Sequence, residues 1–429
     1  MLDIIKYIYE KIPYNLSKKM IEIFRLNPYY SDRIWNDIKK IELDYKNCKN
    51  LNNSLNNLGI KDIDNLKKIE LIDSEYLRRN LDTLINLKVR GYYTSTGGTT
   101  GIPLKLYLSD QSYYKDIAHV IWGWNKLGYQ KGDKKLTLRG AASSLKDKLY
   151  KYNPIYNELQ INVFKMDKYN IDEIIREIEK FNPRFGHGYP SSFFRLATLL
   201  ENKKINIKLK GISLTSENLY EEQRKVIEKV FDCKARGFWG HTERLGIAIE
   251  KVNERNIYEI PLTYGLIEII KENGIEAEEG EEGEIVCTGF INKGMKLIRY
   301  KTGDYATVHK KEKGIVIEIR NLIGKRGKEY LYTKNGQKIS TASLTLHSKA
   351  QYEFKYIQLL QNEVEKVNVN VVLWDNKDVS KDIRALKEEF ESKVQDIDFK
   401  INIVNEKEIK ITHRGKIPYL ITEINKIER

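Results

Sequence analysis

The feature that most constrains this chain is a change of apolar period that recurs through its middle. IDEIIREIEKF sets Ile171, Ile174, Ile175, Ile178 and Phe181 on one face of a helix, and NLYEEQRKVIEKVF does the same with Leu219, Val226, Ile227 and Val230. Short β-type runs lie between and after them: KLTL around Leu136, GISLTS around Ile212 and GEIVCTGF around Val286. Neither kind of segment can bury its apolar side alone, so their alternation predicts an α/β body of mixed sheets and helices. Before residue 91 the apolar spacings of three and four predict mostly helix, and GIEAEEGEEGEIV reads as an acidic, glycine-punctuated hairpin turn. Toward the C-terminus the texture changes. KVNVNVVLW alternates Val367, Val369 and Val371 with Asn368 and Asn370; DIRALKEEF turns Ile383, Leu386 and Phe390 inward; DFKINIV alternates Phe399, Ile401 and Ile403 with polar partners. This strand–helix–strand unit predicts a small α+β domain, with its boundary near GKRGKEY, residues 324–330. Three parts follow: a helical stretch 1–90 and a core 91–325, which together make a large domain, and a small domain 326–429.

Composition narrows the function classes. At 429 residues with 41% hydrophobic content, the chain can bury a large core. Its net charge of +14 is spread along the chain with no basic block interleaved with aromatics, which argues against a nucleic-acid partner and leaves anionic substrates open. Cys48, Cys233 and Cys287 fit neither a disulfide framework nor a CxxC metal spacing, so a reducing, cytoplasmic setting is expected. The opening MLDIIKYIYEKIPYNLSKKM lacks the apolar core and cleavage site of a secretory leader, and no segment offers the ~20 apolar residues of a membrane span.

The chemistry concentrates in a few short segments. YTSTGGTTGIP, from Tyr93 to Pro103, gathers glycines and hydroxyls without charge. Glycines allow close backbone approach, and converging N–H and O–H donors suit a polyphosphate, although the GxxxxGK[ST] pattern of nucleoside triphosphatases is absent. A flexible surface turn is the competing reading of that loop. FWGHTE, residues 238–243, sets Thr242 beside Glu243, a pair suited to a phosphate-bridging Mg²⁺. RYKTGD, residues 299–304, places Asp304 after a Thr-Gly turn, where a carboxylate can take two ribose hydroxyls. HRGKIPY presents Lys416 after a glycine.

In this order the segments resemble the adenylate-forming ligase superfamily, and within it the phenylacetate–CoA ligase-like proteins, including those of capsular polysaccharide biosynthesis. YTSTGGTTGIP, SLTSENL (213–219), FWGHTE, CTGFINKGMKLIRYKTGD (287–304), GKRGKEYLYTKNGQKIS (324–340) and THRGKIPYLI (412–421) carry the resemblance, from about residue 90 to the end. The resemblance implies a large domain with a small mobile lid, ATP and Mg²⁺, and activation of a small carboxylic acid as an acyl-adenylate with release of pyrophosphate. The acyl group would then pass to an amine, hydroxyl or thiol acceptor; coenzyme A is the alternative acceptor. By the same resemblance Ser95, Thr96, Gly97, Gly98, Thr99 and Thr100 wrap phosphates. Ser216, Glu217 and Asn218 border the adenine, with capping of the following helix as the competing role. Trp239 and Gly240 pack beside the adenine or acyl group, Thr242 touches the α-phosphate, Glu243 holds Mg²⁺ and Asp304 takes the ribose. Lys416 stabilises the transition state when the lid closes. Gly188, Tyr189 and Pro190, in GHGYPSSFFRLA, line the acyl pocket with His241, whereas His187 reads as structural, and Trp122 and Trp124 as core. Arg326 falls at the lid hinge, but Lys325 stands where the family has glycine and Glu329 where it has aspartate. That departure is what supports a nucleotide-binding protein without catalysis as the alternative.

Overall fold

The computed structural model describes residues 32–45, 49–95, 104–139, 148–324, 330–333, 338–340, 353–373, 378–394, 397–410 and 418–422 with Ala350 and Ile424, less a few single positions within these ranges. The chain divides into two compact units, Met1–Thr96 with Pro103–Leu322, and Gly97–Ile102 with Ile323–Arg429.

The described part of the first unit opens with helices α1 (Asp32–Asp44), α2 (Lys49–Asn56), α3 (Ile63–Lys67) and α4 (Ser74–Leu84). A hairpin of β1 (Gly91–Ser95) and β2 (Lys105–Ser109) leads into α5 (Asp110–Lys126). The strands β3 (Lys135–Leu138), β4 (Tyr150–Asn153), β5 (Glu158–Ile161), β6 (Phe185–Gly188), β7 (Gly211–Thr215) and β8 (Lys234–Gly240) build one half of a twelve-stranded sheet. In this half β5, β3, β6, β7 and β8 run parallel, because α6 (Ile171–Phe181), α7 (Pro190–Leu200) and α8 (Glu221–Phe231) return the chain between successive strands. The other half is made by β9 (Ile247–Glu250), β10 (Ile257–Glu259), β11 (Gly265–Ile270), β12 (Glu282–Gly289), β13 (Tyr300–Glu312) and β14 (Ile315–Ile323). The order across the sheet is β11-β12-β13-β14-β10-β9-β8-β7-β6-β3-β5-β4. The α/β class expected from the alternating periods is the class observed.

Burial follows the sequence pattern closely in α6, whose Ile171, Ile174, Ile175, Ile178 and Phe181 are all buried against the parallel strands. In α8 the inward face is shifted. Arg224, Ile227 and Phe231 are buried, while Val226, Val230 and the preceding Leu219 are only partly covered. The reason is an ion pair: Arg224 points in and meets Glu250 of β9 through Nη2 to Oε1 at 2.7 Å and Nη1 to Oε2 at 3.0 Å. Trp122 and Trp124 of α5 lie in the core at 1% and 2% exposure, as expected.

In the second unit β15 (Tyr330–Tyr332) pairs with β16 (Lys338–Ser340). A four-stranded sheet follows, ordered β19-β18-β17-β20, from β17 (Phe354–Glu363), β18 (Lys366–Leu373), β19 (Asp398–Ile403) and β20 (Leu420–Thr422). Helix α9 (Ser380–Lys393) covers it with Leu386 and Phe390, against Val367, Val369, Val371 and Phe399. Phe390 stacks on Phe399 with centroids 5.1 Å apart. Ile403 departs from the expected inward pattern: it ends β19 and is 54% exposed.

Candidate active site

Three neighbouring parallel strands deliver candidate residues to one edge of the sheet. β6 ends at Gly188 and runs into Tyr189 and Pro190; β7 ends at Thr215 and runs into Ser216, Glu217 and Asn218; β8 ends at Gly240 and runs into His241, Thr242 and Glu243. Open α/β sheets bind ligands outside the carboxyl ends of their strands, so chain order alone brings these segments together on the useful edge.

Each segment is fixed by its own local physics. Gly188 sits so close to β3 that a Cβ would lie 2.1 Å from the Leu138 carbonyl oxygen, and Tyr189 donates its N–H to that oxygen at 2.8 Å. Tyr189 is the N-cap of α7, and Pro190 begins the helix, where its fixed φ suits the first turn. Ser216 has a φ of +69°, a left-handed conformation uncommon for a residue with a side chain, and turns the chain sharply at the end of β7. Glu217 does not cap the helix that follows it. The N-cap of α8 is Tyr220, without a side-chain bond, while Glu217 reaches across to accept the Ser191 N–H of α7 at 3.1 Å. A carboxylate at a helix N-terminus meets unpaired N–H groups and a positive dipole end, and the neighbouring helix offers both within reach.

After β8 the chain makes a turn closed by the Arg244 N–H to the His241 carbonyl at 3.1 Å. Arg244 holds the turn from behind, with a φ of +56°. Its guanidinium bonds Ser112 Oγ at 3.0 Å and the Tyr92 hydroxyl at 3.1 Å, and its Nε lies 3.3 Å from Asp116 of α5. Thr242 and Glu243 thus sit on a turn anchored to the core. Glu243 accepts from the Tyr300 hydroxyl at 3.4 Å; burial and then Glu243 itself raise the Tyr300 pKa, which keeps that proton in place.

Asp304 arrives from the antiparallel half. In β13 three residues, Thr302 to Asp304, oppose the single Ile285 of β12, because Glu284 pairs with Tyr305 and Val286 with Lys301. Gly303, with φ +79°, makes this bulge possible, and Thr302 Oγ1 locks it by donating to the Ile285 carbonyl at 2.8 Å and accepting the Asp304 N–H at 3.1 Å. The bulge re-aims Asp304 so that its Oδ2 accepts Trp239 Nε1–H at 2.8 Å. Four strand spacings separate β8 from β13, about 19 Å in a flat sheet, so the antiparallel half must curl for this bond to form.

His241 sits beside this pair, its ring centroid 5.2 Å from that of Trp239. Both ring nitrogens are buried and have no hydrogen-bond partner among the described residues. Burial lowers its pKa to about 4 despite the opposing pull of Asp304, so the ring is neutral and offers one donor and one acceptor. His187 differs: it is neutral because burial, Arg139 and Lys135 all disfavour its charge, and its Nδ1 lies 3.2 Å from the Ser213 carbonyl oxygen. Among the described residues no group of three His, Cys, Asp or Glu side chains forms a metal cage. Glu243 is a single carboxylate on an anchored turn, and one carboxylate is the kind of ligand a phosphate-bound Mg²⁺ would need.

The other expected residues divide as follows. Thr96, Gly97, Gly98, Thr99, Thr100, Arg326 and Lys416 lie outside the described residues, and Ser95 is placed by its backbone alone, opposite Lys105 in the hairpin. Two arginines central to the architecture gave no functional signal in the sequence. Arg244 follows GHTE directly. Arg299 opens RYKTGD; its Nε and Nη2 grip Glu268 at 3.1 and 3.0 Å, and its Nη1 bonds the Lys67 and Ile69 carbonyls at 2.8 and 2.7 Å.

No protein-family model matches the chain. It is 25% identical over 436 residues to Protein CapK of Staphylococcus aureus, an alignment that covers 98% of this chain and 93% of that one. Among solved structures, it superposes on a 2-hydroxyisobutyryl-CoA ligase, in the postadenylation state with an acyl-adenylate bound, with a TM-score of 0.59 at 11% identity, covering 98% of this chain and 92% of the other. The GH3.15 acyl acid amido synthetase in complex with 2,4-DB gives a TM-score of 0.59 at 12% identity, over 91% of this chain and 95% of the other. At such identities a structural likeness speaks for the fold alone. In fold the chain is similar to these acyl-activating ligases, and over nearly its whole length it is similar in sequence to CapK.

Proposed function

We propose that this protein is an ATP-dependent ligase that activates a small carboxylic acid as its acyl-adenylate and then transfers the acyl group to an amine, hydroxyl or thiol. A carboxylate is a poor electrophile because its leaving group would be oxide. In the first step a carboxylate oxygen attacks the α-phosphorus of ATP, and the bond to pyrophosphate breaks. In the second the acceptor attacks the acyl carbon, and AMP leaves with the bonding electrons. The protein must bring two anions together and offset the charge that develops at phosphorus.

The observation that carries the proposal is the convergence of Trp239, His241 and Asp304 at the carboxyl edge of the sheet, around a neutral imidazole whose two nitrogens lack a partner among the described residues, with Glu243 on the same turn as His241. In this scheme Asp304 takes the ribose hydroxyls and Trp239 flanks the nucleotide. Ser216 to Asn218 border the adenine, with Glu217 fixed by the helix it caps. Thr242 meets the α-phosphate. Glu243 would hold Mg²⁺, which supplies charge neutralisation at the phosphates. His241 donates to or accepts from the acid, and Gly188 to Pro190 line the space for its body. The glycine loop from Ser95 to Thr100 wraps the outer phosphates, and Lys416 in the small C-terminal unit neutralises the transition state. The resemblance to proteins of capsular polysaccharide biosynthesis favours a hydroxyl or amine acceptor over coenzyme A. The fold is also that of a CoA ligase, which keeps the thiol as second choice.

The test is pyrophosphate release from ATP with Mg²⁺ across a panel of carboxylic acids, with amines, sugars and coenzyme A then added to find the acceptor. Acid-dependent release is expected. ATP binding without release for any acid would support a nucleotide-binding protein without catalysis. Lys416→Ala is expected to lower adenylation about 100-fold or more while leaving ATP affinity within a few-fold, because its contact belongs to the transition state. An equal loss of ATP binding would contradict that assignment.

A further inference from the structure

The arginines that brace the large unit are matched with carboxylates: Arg224 with Glu250, Arg236 with Glu228, Arg244 with Asp116 and Arg299 with Glu268. Arg139 is different. It is the first residue beyond β3, at the same carboxyl edge as the candidate site, and it is exposed. Its guanidinium carbon lies 5.9 Å from the centroid of the Tyr189 ring. The register explains the meeting. Leu138 pairs with Gly188 across β3 and β6, so Arg139 and Tyr189 leave the sheet side by side. The absence of a Cβ at Gly188 lets the two strands close to this spacing.

Two acids from this half of the sheet are engaged elsewhere. Glu217 is bonded to the N-terminus of α7, and Glu158 of β5 accepts from Thr137 at 2.7 Å and from Asn153 and Gln160 at 3.1 and 2.7 Å. Arg139 and Lys135 both act against protonation of His187 behind the same strand ends. This corner therefore has a positive field and a flat aromatic wall. A guanidinium beside an aromatic ring can still offer its fork of N–H donors, a geometry that suits a second planar anion.

We propose that Arg139 selects the acid: the substrate carries, besides the carboxylate to be activated, a second anionic group that the Arg139 guanidinium binds against Tyr189. This rests on the adenylation proposal for the carboxylate that reacts, but binding of the second anion can be read without turnover. The shared chemistry, an anion on Arg139, could also be met by an ATP phosphate, and the experiment separates the two.

The experiment measures binding of matched mono- and dicarboxylic acids by calorimetry in the presence of a non-hydrolysable ATP analogue, alongside acid-dependent pyrophosphate release. It uses the full-length protein and its Arg139→Gln, Arg139→Lys and Arg139→Glu variants. The dicarboxylic acid is expected to bind the native protein roughly tenfold or more tighter than its monocarboxylic match. Arg139→Gln should abolish that preference, Arg139→Lys restore part of it, and Arg139→Glu reverse it, with affinity for the ATP analogue unchanged throughout. A preference for the monocarboxylic acid, or one untouched by Arg139→Gln, overturns the proposal. So does a loss of analogue affinity in Arg139→Gln, which would assign the guanidinium to the nucleotide. If no acid gives pyrophosphate, adenylation fails; Arg139-dependent binding of the dicarboxylic acid would still uphold the second-anion site, and its absence would remove it.

Discussion

Asp304 already holds Trp239 and is proposed to hold the ribose as well, and that sets what its removal does. Its Oδ2 already accepts the Trp239 indole N–H, so Asp304→Ala leaves a buried donor unsatisfied, at a cost of about 1–3 kcal/mol in stability. The same variant should weaken ATP binding roughly tenfold or more if the carboxylate also takes the ribose. Asp304→Asn keeps an acceptor for Trp239 and should recover most of the stability but not the affinity. Calorimetric titration with ATP beside urea unfolding separates the two effects, and unchanged ATP affinity in Asp304→Ala would remove the ribose role. Asp304 could be singled out from sequence because a carboxylate after Thr-Gly is a local signal. Arg244 could not, because its partners Tyr92, Ser112 and Asp116 lie more than a hundred residues away and share no period with it.

At the level of elements, the strands and helices that carry a strong apolar period could be read directly, α6 and β18 most plainly. What could not be read was set by pairs between elements. The inward face of α8 turned because Arg224 found Glu250, and Glu217 capped α7 in place of the helix beside it in sequence. The edge itself follows from topology: once β6, β7 and β8 are parallel, their following loops must share one side. Gly188 is the element-level constraint on that edge. Gly188→Ala would force a methyl into the Leu138 carbonyl and spread β3 from β6, so a loss of about 1–3 kcal/mol in unfolding free energy is expected from urea titration. Unchanged stability would mean that the two strands can part without cost. Adenylation should fall as well, since Tyr189 and Arg139 emerge from that pair of strands.

For the whole molecule, acid is the condition that separates native from unfolded chains. His119, buried with Nδ1 2.7 Å from the Lys115 carbonyl oxygen, has its pKa lowered to about 4 by burial; His241 is lowered to the same value, and His187 lies well below the ordinary 6.5. Between pH 6.5 and about 4 the unfolded chain takes up protons on these rings and the native one does not. Stability is therefore full above pH 6.5 and falls as the pH drops through that window, by up to about 1.4 kcal/mol per pH unit for each ring. Urea midpoints at pH 7.5, 6 and 5 should show this decline, and His119→Asn should make it shallower. A flat profile would mean that the rings titrate as they do in the unfolded chain. The curled sheet has a different consequence. The bond from Trp239 to Asp304 joins residues 65 apart in sequence and requires β9, β10 and β14 to be in place between β8 and β13. Contacts of such long range are costly to form early, so this contact should belong to the last stages of folding. A nucleotide held there would act as a clasp: it would do little for the collapsing chain and much to slow the finished fold from opening.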